Sequence, residues 1–404
     1  MKITDISLFR VHGTWQGSGF PPGDRQAQQP DIYPEFNQSA GMNLPNVGLD
    51  DPQPISAIYV EIETDEGVSG IFGPIQHEQA YLIKTMLRPY LIGRDPLATE
   101  QLYDQMIRMN RHGRSGMYMT AVSPVDCALW DLKGKAWNQP IYRLLGGPTQ
   151  LHDAGGKDAC PAVPAYISLL GYSVEPTRAA TVARQYKAQG FTAQKWFFRY
   201  GPGDGEAGKA KNLAMAKAVR DAVGSDYRLM FDAFMGWDVT YAIEMVRALE
   251  PIRPFWMEEP IPPERISSFH KIRQAANVPI ATGEHIYTRW QTKELLVNNA
   301  VDFLQNDPDW TGGITELVKV CALGSSFDVP VIAHGHSLLA ALHVATAQSP
   351  ATVPYVEFLV RHQPGKQYFH KPFIQPKEGI VYTPDLPGLG LVLDEDKVER
   401  REAF

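Results

Sequence analysis

Beyond residue 160 the chain alternates short apolar runs with longer stretches whose apolar positions recur at helical spacing. The runs cover 165–170, 192–198, 228–234, 255–259, 280–284, 302–306, 329–333 and 355–359. Four to seven apolar or β-branched residues followed by a helical pattern is the signature of a strand and its crossover helix. Eight runs with seven crossovers predict a parallel barrel of the (β/α)7β kind, over residues 131–360.

Residues 1–130 follow a different pattern. Alternation over 3–11 and 55–64 predicts two strands, and Asp65-Glu-Gly67 turns the chain into a third over 68–72. Helical spacing then holds over 78–91, 97–112 and 118–136, so this part is expected to be a small α+β cap. Between its first two strands, 13–54 is crowded with Gly, Pro, Gln and Asn and carries Trp15, Phe20, Tyr33 and Phe36. A loop that long in a compact domain is usually functional, and its aromatics suggest a lid over a ligand, with Trp15 a candidate substrate contact. After Glu357 only short strand-like pieces remain, at 379–383 and 390–393, so the tail 361–404 is expected to return to the cap.

The barrel runs end on polar residues: Lys195, Asp232, Glu258, Glu284, Asp307, His334 and Glu357. The C-terminal ends of parallel barrel strands share one rim, where chemistry is placed. Asp232, Glu258 and Glu284 follow one another at intervals of 26 residues, one strand-helix unit each. Three carboxylates at the same end of adjacent strands repel one another unless a cation sits between them, and hard oxygen donors suit Mg²⁺. Such an ion favours removal of a proton from the carbon beside a substrate carboxylate, because the resulting enediolate gathers negative charge on oxygen. His334, in Ala333-His-Gly-His336, is a candidate base, oriented by Asp307 on the neighbouring strand. Lys195 would add electrostatic stabilisation from across the ring. His285 and His336 are each either a proton donor or a loop residue, and a protonated Glu357 could donate to the substrate carboxylate. Arg199, Trp310 and Trp237, near strand ends, are candidates for lining the pocket.

Composition narrows the partners. The net charge is −7 with no basic block, which argues against nucleic acid and against an anionic membrane surface. Cys127, Cys160 and Cys321 are odd in number and lack metal-site spacing, as expected of thiols in a reducing cytoplasm. The N-terminus has no cationic-then-apolar leader and no apolar run approaches membrane-span length, so the expected location is cytoplasmic.

These pieces resemble the enolase superfamily and, within it, the mandelate racemase subgroup. The resemblance rests on Ser123-Pro-Val-Asp-Cys-Ala-Leu-Trp-Asp-Leu-Lys-Gly-Lys135, Phe231-Asp-Ala, Trp256-Met-Glu-Glu-Pro260, Thr282-Gly-Glu-His285, Asn306-Asp-Pro-Asp-Trp-Thr-Gly-Gly313 and Ala333-His-Gly-His-Ser337. It implies Mg²⁺ on Asp232, Glu258 and Glu284, a His334–Asp307 dyad, and Glu357 against the substrate carboxylate. The subgroup's Lys-x-Lys appears here as Lys195-Trp-Phe197, so a base remains on one face only. That favours β-elimination of water over exchange of the α-proton between faces. Spacing around Lys195, Asp232 and Glu284 is similar to the L-rhamnonate dehydratase-like members, whose substrate-contacting residues the 13–54 loop does not reproduce. The resemblance therefore implies a Mg²⁺-dependent hydro-lyase giving a 2-keto-3-deoxy acid from a sugar acid, in a homo-oligomer. A racemase, epimerase or cycloisomerase on the same scaffold is the alternative, and a catalytically silent sugar-acid-binding protein a further one.

Overall fold

The computed structural model describes residues 1–16, 23–37, 52–153, 159–336 and 338–404. In the cap, strands Ile3–Trp15, Gln53–Thr64 and Ser69–Ile75 form an antiparallel sheet in that order. The tail completes it, since Arg400–Ala403 pairs with the outer edge of the first strand, Phe9 opposite Ala403. Both long strands outrun their side-chain pattern, with Gly13, Thr14 and Trp15 laddered to Ile55, Pro54 and Gln53. A ladder depends on backbone groups, and it continues past the point where alternation stops. Trp15 thus lies in the cap sheet and not in a loop. Within the expected lid, 23–37 is described and 17–22 and 38–51, including Phe20, lie outside the described residues.

Helix Met117–Ala136 is wedged between cap sheet and barrel and is buried on nearly every side. Several of its polar residues tie it to neighbouring elements. Asp131 accepts from Ile71 N in the cap sheet at 2.9 Å and from Leu389 N in the tail at 2.8 Å, and pairs with Lys135 at 2.6 Å. Ser123 accepts from Gly312 N at 2.9 Å, Asp126 from Thr315 N at 2.9 Å, and Trp130 donates to Thr315 Oγ1 at 2.8 Å. Gly313, at φ +80°, lies so close that a Cβ there would meet the Asp126 carboxylate. The Ser-Pro-Val-Asp-Cys-Ala-Leu-Trp stretch is therefore a dock for the barrel loop that follows Asp307.

The barrel strands are Cys160–Ser168, Ala193–Phe197, Arg228–Asp232, Trp256–Glu258, Ile280–Thr282 and Phe303–Leu304, all parallel to their neighbours. The last strand, Val356–Leu359, pairs with the first and closes the ring. The expected seventh strand is reduced to one bridge, Leu304 to Val331. Pro330 has no N–H to ladder, which limits pairing on the N-terminal side, although Leu304 N still bonds Pro330 O at 2.9 Å, Ile332 N bonds Leu304 O at 2.7 Å and His334 N bonds Gln305 O at 3.2 Å. Ile380–Tyr382 of the tail adds antiparallel to the first barrel strand.

Inward positions of the barrel fall in two sets, as a period of two requires. Deep in the barrel Tyr166, Ala193, Met230, Trp256, Ala281, Ile332 and Tyr355 pack together with Phe303. Two residues further along each strand come Ser168, Lys195, Asp232, Glu258, Gly283, Gln305, His334 and Glu357. An apolar plug thus supports a floor that is polar or charged at seven of its eight positions.

His343 lies in the fully buried helix Leu338–Ala347. Its Nδ1 accepts from Tyr142 N at 3.3 Å and its Nε2 donates to Leu389 O at 3.1 Å, a pattern that only the neutral ring satisfies. Burial, opposed weakly by the Leu389 carbonyl, holds its pKa down at about 4. The folded pKa lies below the unfolded value near 6.5, so the unfolded chain binds the extra proton in between. Stability is expected to be intact above pH 6.5 and to fall by on the order of 3 kcal/mol as pH drops to 4. Urea unfolding followed at pH 7 and pH 4.5 measures this, and in His343→Gln the part of the slope due to this ring should vanish.

Cys127 and Cys321 are buried thiols outside any disulfide. Among the described residues no helix is long and apolar enough to cross a membrane.

Candidate active site

The polar floor converges on Lys195, which is 1% exposed. Its Nζ bonds Glu258 Oε1 and lies 2.9 Å from Glu357 Oε1 and 3.3 Å from Asp232 Oδ2. Burial alone would lower the pKa of such a lysine, but Glu258, Glu357 and Asp232 outweigh it and hold the group well above its usual range. Lys195 is therefore an ammonium and no base. Burial first and Glu258 second push Asp232 well above the ordinary carboxylate range. Burial, with Glu259 adding to it, brings Glu284 up to about 7. Asp232, Glu258 and Glu284 are thus all buried at the barrel mouth, and burial and like charge disfavour ionisation of Asp232 and Glu284.

His334 stands beside them. Its Nδ1 donates to Asp307 Oδ2 at 2.9 Å, and its Nε2 faces Glu284 Oε2 at 3.5 Å. Asp307 is itself held in place, taking also His336 N at 3.1 Å on Oδ2 and Asp309 N at 2.7 Å on Oδ1. These bonds fix the His334 ring and leave Nε2 as the nitrogen turned to the site. Burial lowers the pKa of His334, but Glu284, Asp307 and Glu357 raise it more, to about 10. Trp310 stacks on His334 at 5.0 Å between ring centres and on His285 at 5.8 Å, and lies tilted against His336 at 4.8 Å.

Elsewhere on the rim, Leu170, Phe197 and Leu359 pack together with Phe234 against them. The Phe197 ring lies 5.2 Å from Lys195 Nζ and occupies the place where a second lysine would stand. Strands one, two, three and eight thus present an apolar patch to the mouth, and the imidazole projects from position seven.

Two family models match the chain: the mandelate racemase / muconate lactonizing enzyme N-terminal domain over residues 49–146, and an enolase C-terminal domain-like model over 178–397. The chain belongs to the mandelate racemase and muconate lactonizing enzyme family. L-rhamnonate dehydratase of Saccharopolyspora erythraea is 30% identical over 382 residues, covering 91% of this chain and 89% of that one. A crystal structure of rhamnonate dehydratase from Gibberella zeae complexed with Mg superposes with a TM-score of 0.81 at 29% identity, over 98% of this chain and 96% of that one. A racemase from Streptomyces coelicolor A3(2) with bound magnesium gives 0.77 at 26% identity and covers all of both chains. Membership of the family and the capped barrel fold therefore stand together.

Several expectations need correction within this family frame. Glu357 is not protonated: burial would raise its pKa, but Lys195 and His334 bring it down to about 2, and Oε2 accepts from Gly335 N at 2.8 Å. An ionised Glu357 repels a substrate carboxylate and instead anchors Lys195. Arg199 does not line an open pocket, because it donates to Asn37 O at 2.9 Å and faces Asp31 at 3.8 Å. It latches the segment 23–37, which the buried Arg25–Asp31 pair at 2.7 Å holds folded. Trp15 packs on Tyr368 of the tail at 5.5 Å, in a cleft with Gln367 and Lys397 and none of the floor carboxylates. Trp237 is core, stacked on Phe198 at 5.3 Å.

His285 and His336 are both paired. His285 Nδ1 meets Glu259 Oε2 at 3.0 Å and Glu284 Oε1 at 3.5 Å, and burial is outweighed by these two, which raise its pKa to about 9. His336 Nδ1 bonds Asp309 and lies 2.8 Å from Lys366 Nζ. Two parallel Asp–His rungs result, 307 to 334 and 309 to 336. Asp309 was missed, although Asn306-Asp-Pro-Asp309 matches His334-Gly-His336 in spacing and the pairing was there to read. Glu259 and Lys366 had weaker signals: the first is the second member of a Glu-Glu doublet, and the second lies in the tail.

Proposed function

We propose that this protein is a Mg²⁺-dependent dehydratase of a sugar acid, giving the 2-keto-3-deoxy acid. One observation carries the reading: His334 turns an uncommitted Nε2 to the carboxylate cluster while the Nδ1 of His285, the other imidazole beside Glu284, is engaged by Glu259, and apolar Phe197 stands where a base on the opposite face would be. Asp232, Glu258 and Glu284 are the proposed ligands. Among the described residues it is Glu259, Glu284 and His285 that bring one donor atom each within 4.8 Å of one another, but Glu259 is occupied by His285 and Thr282, and an imidazole suits Mg²⁺ poorly. When bound, Mg²⁺ offsets the carboxylate charge that otherwise keeps His334 protonated, and it stabilises negative charge gathering on the substrate carboxylate.

In the proposed reaction His334 Nε2 takes the α-proton while Asp307 holds the Nδ1 proton in place. Lys195 adds its positive charge to the enediolate side. The bond from the β-carbon to its hydroxyl oxygen then breaks, and that oxygen leaves as water with the proton His334 carries. The remaining enol tautomerises to the 2-keto acid. Latching of 23–37 by Arg199 and Arg25 would limit the entry of water.

The racemase and cycloisomerase readings differ in what leaves the site. Purified protein with Mg²⁺ should form a 2-keto product from at least one sugar acid in a library of four- to six-carbon acids. Deuterium exchange at the α-carbon with no keto product from any acid would favour the racemase reading instead. Complete inertness across the library would favour a silent binding protein.

A further inference from the structure

Beside His336 lies a small cavity of about 30 Å³ at the junction of barrel, cap and tail. Its polar wall is Asp309, His336, Gln363, Lys366, Gln367 and His370, and Phe72 and Leu391 bound it on the apolar side. The two glutamines form its frame and are already satisfied: Gln363 donates to Gly335 O at 2.7 Å, and Gln367 to Gln363 Oε1 and Ile374 O at 2.9 Å each. Asp309 and His336 are bonded to each other. Two groups remain. Lys366 Nζ lies 2.8 Å from His336 Nδ1 and 3.8 Å from Asp309 Oδ2, with N–H donors to spare. His370 is 5% exposed, and neither of its ring nitrogens has a hydrogen-bond partner among the described residues. A buried imidazole without a partner calls for a ligand or a water.

Position and charge say what that ligand is. The His336 ring borders the cavity and lies 6.4 Å from the His334 ring, and Trp310 touches both, stacked on His334 and tilted against His336. The carbons of a sugar acid beyond the β-carbon would run along this wall. Lys366 is balanced by Asp309, which leaves no charge for a second acid group. A hydroxyl, by contrast, accepts from Lys366 and donates to a ring nitrogen of His370. The volume suits one such group, since a single water needs about 10–15 Å³.

We infer that this cavity is the subsite for the terminal hydroxyl of the sugar acid, so that the enzyme prefers a substrate with a hydroxylated last carbon over its 6-deoxy analogue. The inference rests on the dehydratase reading above, and its test separates the two. The kcat/KM for a six-carbon acid should exceed that for the matched 6-deoxy acid by about 10- to 100-fold, because the deoxy compound leaves His370 unpaired. His370→Phe and Lys366→Met should each bring that ratio towards one, and His370→Gln, which keeps a donor and an acceptor, should retain it. A wild-type ratio near one, or a ratio unmoved by His370→Phe and Lys366→Met alike, overturns the subsite and leaves the dehydratase standing. Should the wild type convert no sugar acid of any length, the dehydratase reading itself fails and takes the subsite with it.

Discussion

His334→Asn is expected to reduce turnover by roughly 10³- to 10⁴-fold while Mg²⁺ and substrate still bind, the span of a lost general base. Asn has no nitrogen lone pair to take a proton, yet its amide can still donate to Asp307 in the place of Nδ1. The floor carboxylates and Lys195 are untouched, so calorimetry should still show Mg²⁺ binding, at least as tight as in the wild type because a competing positive charge beside Glu284 is gone. Exchange of the α-proton with deuterated solvent is the direct reading, and it should stop together with product formation. Exchange that continued at the wild-type rate would remove His334 from the role and point to another base.

Lys195→Met is expected to have the largest effect on stability, together with a smaller loss of activity than His334→Asn. The ammonium offsets Asp232, Glu258 and Glu357 at the bottom of the mouth, where all are shielded from water. Removing one partner of a buried charged network leaves the others uncompensated, which costs about 3–5 kcal/mol. Activity should fall by about 10²- to 10³-fold, the usual loss when one positive donor to a developing oxyanion is deleted. The structural part and the chemical part can be separated. Saturating Mg²⁺ should restore much of the lost stability, because a cation among the same carboxylates replaces the missing charge. Its effect on Tm should therefore be greater in the variant than in the wild type. Equal effects of Mg²⁺ on both proteins would mean that the ion binds somewhere other than beside Lys195.

Much of the fold was open to reading from order alone. Apolar runs closed by Asp232, Glu258 and Glu284 at equal intervals mark successive strands, and the barrel strands fall where those runs do. The same reading could not foresee that the seventh strand shrinks to a bridge, because its apolar run is intact and the limit is a missing N–H at Pro330. Nor could it see that the first cap strand carries Trp15 on into the sheet, since pairing there depends on the opposite strand and not on local pattern.

Residue type and spacing along the chain determined which chemical groups this protein owns and at which end of each strand they stand. They could do so because strand periodicity and the position of strand ends are local properties. What those groups do to one another was decided only in three dimensions. Glu357 is ionised because Lys195 reaches it from another strand, Arg199 is a latch because Asn37 folds back onto it, and Asp309 gains its meaning from a histidine 27 residues away. Charge, burial and partnership depend on distances through space, and those exist only after the ring has closed.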